Sequence, residues 1–185
     1  MVARRVHPAH GPGGLERHVF ELVTQLSRCQ IEIDLFVDTP VDPLRRVFTE
    51  RVFPKGVRIH WVSGCWLPLG KRRGTIVLDR ITNYPLWSLS VARSLLAKRA
   101  TSSSTWSIVH VHGLAGWGLA RAKRRGALDI PLIVTTQGLE EFQSHIRLKH
   151  LLYAPFRAGM RTIAAERDVV VTTDASLAPL VERYL

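Results

Sequence analysis

A glycine-rich turn, Gly11-Pro12-Gly13-Gly14, runs straight into Leu15-Glu16-Arg17-His18-Val19. Glycine lets the backbone come close to a ligand, and the start of a helix offers unpaired N–H groups to an anion. The turn is therefore a candidate phosphate- or ligand-binding loop, with a tight turn before an ordinary helix as the plain alternative. His18, one turn into that helix, can either pack or bind. In mid-chain His110 and His112 stand two residues apart on a strand, so both point to one face. No Asp, Glu or Cys at ligand spacing accompanies them, and the pair is not read as a metal site. His112, just before Gly113, either reaches a ligand cleft or packs as a structural histidine. A third group, Gln137-Gly138-Leu139-Glu140-Glu141-Phe142, offers an amide and carboxylates that can hydrogen-bond sugar hydroxyls or act as acid and base. Glu141 is read as a solvated acid favoured by the start of a helix.

The elements that must position these residues are set by periodicity. Apolar residues at 15, 19, 22, 23 and 26 give a helix from Leu15 to about Ser27 with one packed face. Strands are expected over Ile31–Val37, Val57–Val62, Ile108–His112, Leu132–Thr136 and Val169–Thr173. Helices are expected from about Leu86 to Lys98 and from about Ile146 to Glu166, and after a cap at Ser176. A Gly/Pro-rich loop carries Lys71, Arg72 and Arg73, and Ser102–Ser104 form another loop. Alternating short apolar runs and helical patterns predict an α/β fold with a Rossmann-like parallel sheet and helices on both faces. In such a sheet ligands bind at the carboxyl ends of the strands, where the three candidate groups fall. The glycine turn should follow a first strand. Only Met1–Val6 precede it, with Arg4 and Arg5 among them, so the first strand is expected to be short or truncated, with further apolar residues upstream.

The 185 residues fit one domain, and 46% hydrophobic with 22% charged residues is a globular composition. A net charge of +11 suits an anionic partner or surface. Cys29 and Cys65 form no disulfide framework and are read as free thiols of a reducing compartment. No run of 18 apolar residues and no signal peptide is evident, which points to a cytoplasmic protein, with contact to the inner face of a membrane left open.

Two readings compete for the glycine turn and the charge. As a nicotinamide-type fingerprint, Gly11-x-Gly13 supplies two glycines of G-x-G-x-x-G, but Glu16 stands where the third is needed for close helix–strand packing. Asp34 and Asp38 lie near the distance expected of a ribose-binding acid. As a basic binding module, Lys71–Arg73 and Arg121–Arg125 could hold an anion. Neither cluster has the interleaved aromatics or recognition helix of a nucleic-acid binder. The second ends a helix, where cations are favourable anyway. The first, beside Trp66 and Leu67, suits anionic lipid headgroups.

Taken together these stretches resemble the N-terminal domain of the large retaining glycosyltransferase family of GT-B architecture known as family 4. The likeness rests on Gly13-Gly14-Leu15-Glu16-Arg17-His18-Val19, on Val109-His110-Val111-His112-Gly113, and on Pro131 to Thr136. It is completed by Val169 to Asp174 with Ser176 and Leu177, and covers nearly the whole chain in order. The resemblance implies an active site between two Rossmann-like domains, the acceptor mostly on the first and a nucleotide-diphosphate sugar mostly on the second. The paired-glutamate donor motif of the second domain is not in these residues. Gly13 and Gly14 would then approach the donor phosphate or the acceptor. His18, His112, Gly113, Gln137, Gly138 and Glu140 would line the acceptor side, with His112 and Gln137 the candidate catalytic groups. The acceptor would be a glycan or lipid-linked, with no further cofactor. Many relatives carry a histidine near Gln137, and glutamine hydrogen-bonds but cannot shuttle a proton at neutral pH.

Overall fold

The computed structural model describes residues 1–64, 76–101, 106–136, 139–143 and 147–185. The chain divides into two compact units, Met1–Ser63 and Gly64–Leu185. Each is a layer of parallel strands with helices.

In the first unit, helix α1 (Gly14–Arg28) leads to strand β1 (Ile33–Asp38), helix α2 (Pro43–Val52) and strand β2 (Val57–Val62). β1 and β2 pair in parallel with Asp34 opposite Arg58. Along the other edge of β1, the first residues add a short parallel segment: Phe36 N–H donates to the Met1 carbonyl (2.9 Å), Ala3 N–H to the Phe36 carbonyl (3.1 Å) and Asp38 N–H to the Arg4 carbonyl (3.1 Å). These residues stand where the first strand was expected, as a single bridge at Val2 rather than a full strand, in keeping with the short first strand expected. Arg4 is accommodated there because its guanidinium lies 3.9 Å from the Asp38 carboxylate, while Arg5 stays exposed 3.9 Å from Glu16. Val19 and Val23 of α1 pack with Ala3, Val6, Ile33, Leu35, Val37 and Phe53 into the core of this unit. Each such aliphatic side chain contributes roughly 1.5–3 kcal/mol on burial. Ile31, expected in the strand, is exposed and precedes it.

Sequence periodicity does not reveal α2. The helix starts at Pro43 behind the Asp42 side chain, which accepts from Leu44 N–H at 2.9 Å, a standard helix start. Its apolar residues do not face the core, so the usual inward stripe is absent. On the second face of β1, Asp34 accepts from Arg58 Nε (3.1 Å) and Nη2 (3.0 Å) and lies 2.5 Å from His60 Nε2. These contacts, with Glu32, hold the Arg58 pKa above its already high ordinary value.

The second unit contains helices α3 (Ile76–Ile81) and α4 (Asn83–Thr101), strand β3 (Val109–His112), helix α5 (Trp117–Arg124) and strand β4 (Leu132–Thr136). Short helices α6 (Glu140–Gln143) and α7 (Arg147–Leu152) come next, then α8 (Ala154–Glu166), strand β5 (Val169–Thr172) and α9 (Ala178–Tyr184). The strand order is β3-β4-β5, all parallel. The helix expected over 146–166 is two helices, interrupted at Tyr153 ahead of Pro155, where a proline lacks the N–H that would continue the ladder. α4 begins at Asn83, three residues before the expected start. Its buried Asn83 donates to Asp79 Oδ1 at 2.8 Å. The cap expected of Ser176 is made by Asp174, which accepts from Ser176 N–H at 2.8 Å and starts a 3-10 turn before α9.

α4 and α5 approach until backbone nearly meets backbone. A methyl group on Gly118 would fall 2.3 Å from the Ser88 carbonyl oxygen. The buried Ser88 hydroxyl accepts from Gly118 N–H and donates to the Ala115 carbonyl, both at 2.8 Å, so a serine of one helix satisfies the start of the other. Gly118→Ala is expected to cost about 1–3 kcal/mol by forcing the helices apart. Ser88→Ala should cost a similar amount, about 1–3 kcal/mol, by leaving the buried Gly118 N–H unmet. Urea unfolding of both variants checks this, and wild-type midpoints would contradict the contact.

Candidate functional site

The first group of candidate residues stands at the start of α1. Residues 6–11 make their own turn, with His10 N–H on the Val6 carbonyl (3.0 Å) and His7 N–H on the Glu16 carbonyl (3.0 Å). Gly11 closes it at φ +101, in the left-handed region that favours glycine. Gly13 is the N-cap of α1 and no side chain of its own can cap the helix. Gly13 and Gly14 differ sharply in their surroundings. A methyl group on Gly13 would fall 2.1 Å from Glu16 Oε2, whereas one on Gly14 would meet nothing within 4 Å. Glu16 is buried and folds its carboxylate back over the helix start, three residues after the N-cap, where a carboxylate is favoured by the helix dipole. Gly14 presents open space above its backbone. His18 is half-buried on the same helix.

His10 sits under this turn. Its Nδ1 lies 3.2 Å from the Val6 N and 3.4 Å from the Val6 carbonyl oxygen. Its Nε2 is buried and makes no hydrogen bond of normal geometry among the described residues. Burial pushes the His10 pKa down from 6.5 to about 4; the Val6 and Asp38 carbonyls oppose this and Arg5 and Arg4 add to it, each by less than burial does.

The second group stands at the carboxyl ends of β3 and β4. His110 and His112 share a face as expected and stack, ring centroids 4.8 Å apart at 27°. His110 Nε2 lies 2.6 Å from Thr135 Oγ1, and His112 is buried at the strand end. Gly113 comes next at φ +54 with open space where a Cβ would stand. Thr136, which no sequence motif singles out, is fully buried, and its Oγ1 has no hydrogen-bond partner among the described residues. An orphan hydroxyl at a strand's carboxyl end is a cost that a ligand contact could offset. Only alternation along the strand could have hinted at it. Gln137 and Gly138 lie outside the described residues, as do Lys71–Arg73, Trp66, Leu67, Cys65 and Ser102–Ser104. Glu140 opens α6, and Leu139 before it takes φ +103.

Two other predicted groups are otherwise engaged. The Asp34 carboxylate is taken up by Arg58 and His60, and Asp38 by Arg4, so neither stands ready for a ribose. Of the basic cluster ending α5, Lys123 is paired with Asp168 and Arg124 with Glu166 (2.8 Å), while the Arg121 guanidinium lies 4.8 Å from the Trp117 ring centre. Leu132 N–H and Lys123 hold the Asp168 carboxyl below the usual carboxylate range. A cavity of about 660 Å³ runs beside α5, lined by Leu114, Trp117, Phe156 and Gly159 with Arg121 and Arg125 on its wall. It belongs to the helix layer of the second unit and is lined by part of the basic cluster of α5, but by none of the candidate residues of the glycine turn or the strand ends.

This arrangement, a glycine turn opening the first helix and polar residues at strand ends of parallel sheets, is that of a Rossmann-like half of a GT-B glycosyltransferase. The chain belongs to glycosyltransferase family 4, whose model matches residues 12–185. No curated protein matches it. Membership establishes a glycosyltransferase-type function, with sugar donor and acceptor as the general classes of ligand.

The two glycines of the turn should respond differently to the same substitution. Gly14→Ala should leave stability unchanged or raise it by about 0.4–1 kcal/mol, yet weaken any ligand whose approach needs the bare backbone. Gly13→Ala must displace Glu16, and should lower stability. Paired melting curves and ligand titrations separate the two. If Gly14→Ala binds ligand like wild type, the turn is merely structural.

The half-buried His10 makes the fold pH-sensitive. Its folded pKa of about 4 lies below the unfolded value of about 6.5. The stabilisation is therefore complete above pH 6.5 and is lost as pH falls toward 4, by up to about 3 kcal/mol. Urea unfolding from pH 7 to 4 should show that slope in wild type and a flatter one in His10→Asn. Equal slopes would remove His10 as its cause.

Proposed function

We propose that this chain is the acceptor-side half of a retaining glycosyltransferase that moves a sugar from a nucleotide-diphosphate sugar to a glycan or lipid-linked acceptor. The observation that carries the reading is the start of α1, where Gly14 leaves open backbone beside N–H groups that no N-cap side chain satisfies. Such a turn can approach a donor phosphate or an acceptor oxygen closely. The carboxylate of Glu16 already lies against the helix start, so the groups suit a partial contact to a sugar or phosphate better than a full pyrophosphate cradle. That, with the engagement of Asp34 and Asp38, supports glycosyl transfer over the nicotinamide alternative.

From the second unit, Gly113, His112 and Thr136 are assigned to the acceptor, together with Gln137, Gly138 and Glu140 on the family likeness. No acid/base role is given to Gln137, because an amide holds no titratable proton. Transfer needs charge-stabilising groups from the donor side as well, and these come from a sugar-nucleotide domain, whichever chain carries it.

Incubating these 185 residues with labelled nucleotide-diphosphate sugars and acceptors should give no transfer. Adding or fusing a family 4 donor domain should restore it, and Gly14→Ala should reduce it. Turnover by the 185 residues alone would overturn the division of labour. Saturable nicotinamide binding with no transfer in any combination would favour the rival reading.

A further inference from the structure

α2 is apolar on the wrong side. Thr49, fully buried, and Phe53, just past the helix end, face the core of the first unit. Leu44, Val47, Phe48 and Val52 recur at i, i+3, i+4 and i+8 and so share the opposite face. Leu44 is 79% exposed, Phe48 57%, Val47 45% and Val52 41%, and Val41 just before the helix is exposed too. Single exposed apolar residues are ordinary, but a helical ridge of them is not.

The charges around the ridge are one-sided. Asp42 is occupied with capping Leu44 N–H and with Arg45 at 3.9 Å. Glu50 accepts from Trp61 Nε1 (2.6 Å), which chiefly holds its carboxyl below the usual range, and from Arg46 (3.2 Å), which adds to this. Arg51 falls within the apolar face at i+7, Lys55 lies just beyond the helix, and neither has an ion-pair partner among the described residues. The chain as a whole carries +11.

We propose that α2 is a membrane-surface helix that seats Leu44, Val47, Phe48 and Val52 at the headgroup boundary of an anionic phospholipid bilayer, with Arg51 and Lys55 on its phosphates. A short helical ridge with no Trp or Tyr among its exposed apolar side chains is poorly made for a protein hot spot. A bilayer asks only for exposed apolar side chains and flanking cations on one helix face. Among the described residues no helix is long and apolar enough to cross a membrane, so the contact is peripheral. The surface lies outside the transfer chemistry and does not depend on whether the acceptor is itself a lipid.

The 185-residue chain is mixed with large unilamellar vesicles of phosphatidylcholine and phosphatidylglycerol at 2:1, and with vesicles of phosphatidylcholine alone. Wild type should float with the anionic vesicles, be released by 0.5 M NaCl, and leave the neutral ones largely empty. Leu44→Ser/Phe48→Ser should lower the partition coefficient at least tenfold, and Arg51→Ser/Lys55→Ser several-fold. All four substitutions are at exposed positions, so unchanged circular dichroism and melting confirm the fold. The proposal is overturned if wild type ignores anionic vesicles or if Leu44→Ser/Phe48→Ser binds like wild type. It is also overturned if sedimentation in lipid-free buffer shows a dimer that this double variant dissociates, which would assign the ridge to a second copy.

Discussion

The parallel pairing of residues 1–4 with β1 decides where the glycine turn stands. Because the segment runs in the same direction as β1, its exit delivers Val6 and the turn at the strand's carboxyl end, where α/β folds bind ligands. Main-chain hydrogen bonds contribute only about 1 kcal/mol net each, so the burial of Val2, Ala3 and Val6 does most of the holding. The register also matters for charge. With Val2 opposite Phe36, Arg4 comes to Asp38, and a slip of one residue would turn the buried valine outward and move the arginine to the other face.

The turn and helix start beyond this segment are electrostatically self-contained. An uncapped helix start would bind almost any anion, yet Glu16 covers the Gly13 side of it and draws Arg5 to 3.9 Å. The chain thus keeps its own carboxylate against the helix dipole and leaves Gly14 as the uncovered position. Burial, with a smaller contribution from Arg5 and Arg4, holds the pKa of His10 beneath it below the ordinary value. The turn is held by buried neutral and paired groups, which leaves its exposed backbone free for a ligand.

The parts legible in the sequence were those in which one pattern had one meaning. Strands read as short apolar or alternating runs, and four of the five observed begin within a residue of their expected places. The glycine turn and α1 were clear because Val19 and Val23 repeat at helical spacing toward a core. Arg4 misled, since a charge in a strand is excluded only when no partner waits, and Asp38 is 34 residues away in sequence. α2 was illegible for the opposite reason. Helical periodicity marks a helix by its inward stripe, and here the apolar stripe faces out. The break at Tyr153 could have been read from Pro155, whose ring allows it in a first turn but not in a helix interior. At the site, the shared face of His110 and His112 was implied by their spacing, but their stacking and the orphan hydroxyl of Thr136 depend on what surrounds them, and that is tertiary information.

Charge shows the same limit more generally. Lys and Arg exceed Asp and Glu by 11, a surplus that by itself suggests nucleic acid as readily as lipid or phosphate. The structure separates cations that are occupied from those that are not. Arg58, Lys123, Arg124 and Arg99 face carboxylates of their own unit and add little to an external field. In the densest run of the described sequence, at the end of α5, Lys123 and Arg124 are therefore neutralised by Asp168 and Glu166, while Arg121 lies over the Trp117 ring. Arg51 and Lys55 are less conspicuous in the sequence but stand unopposed beside exposed apolar side chains. Cation count sets the sign of the field, and only the positions of the carboxylates decide which face of the molecule carries it.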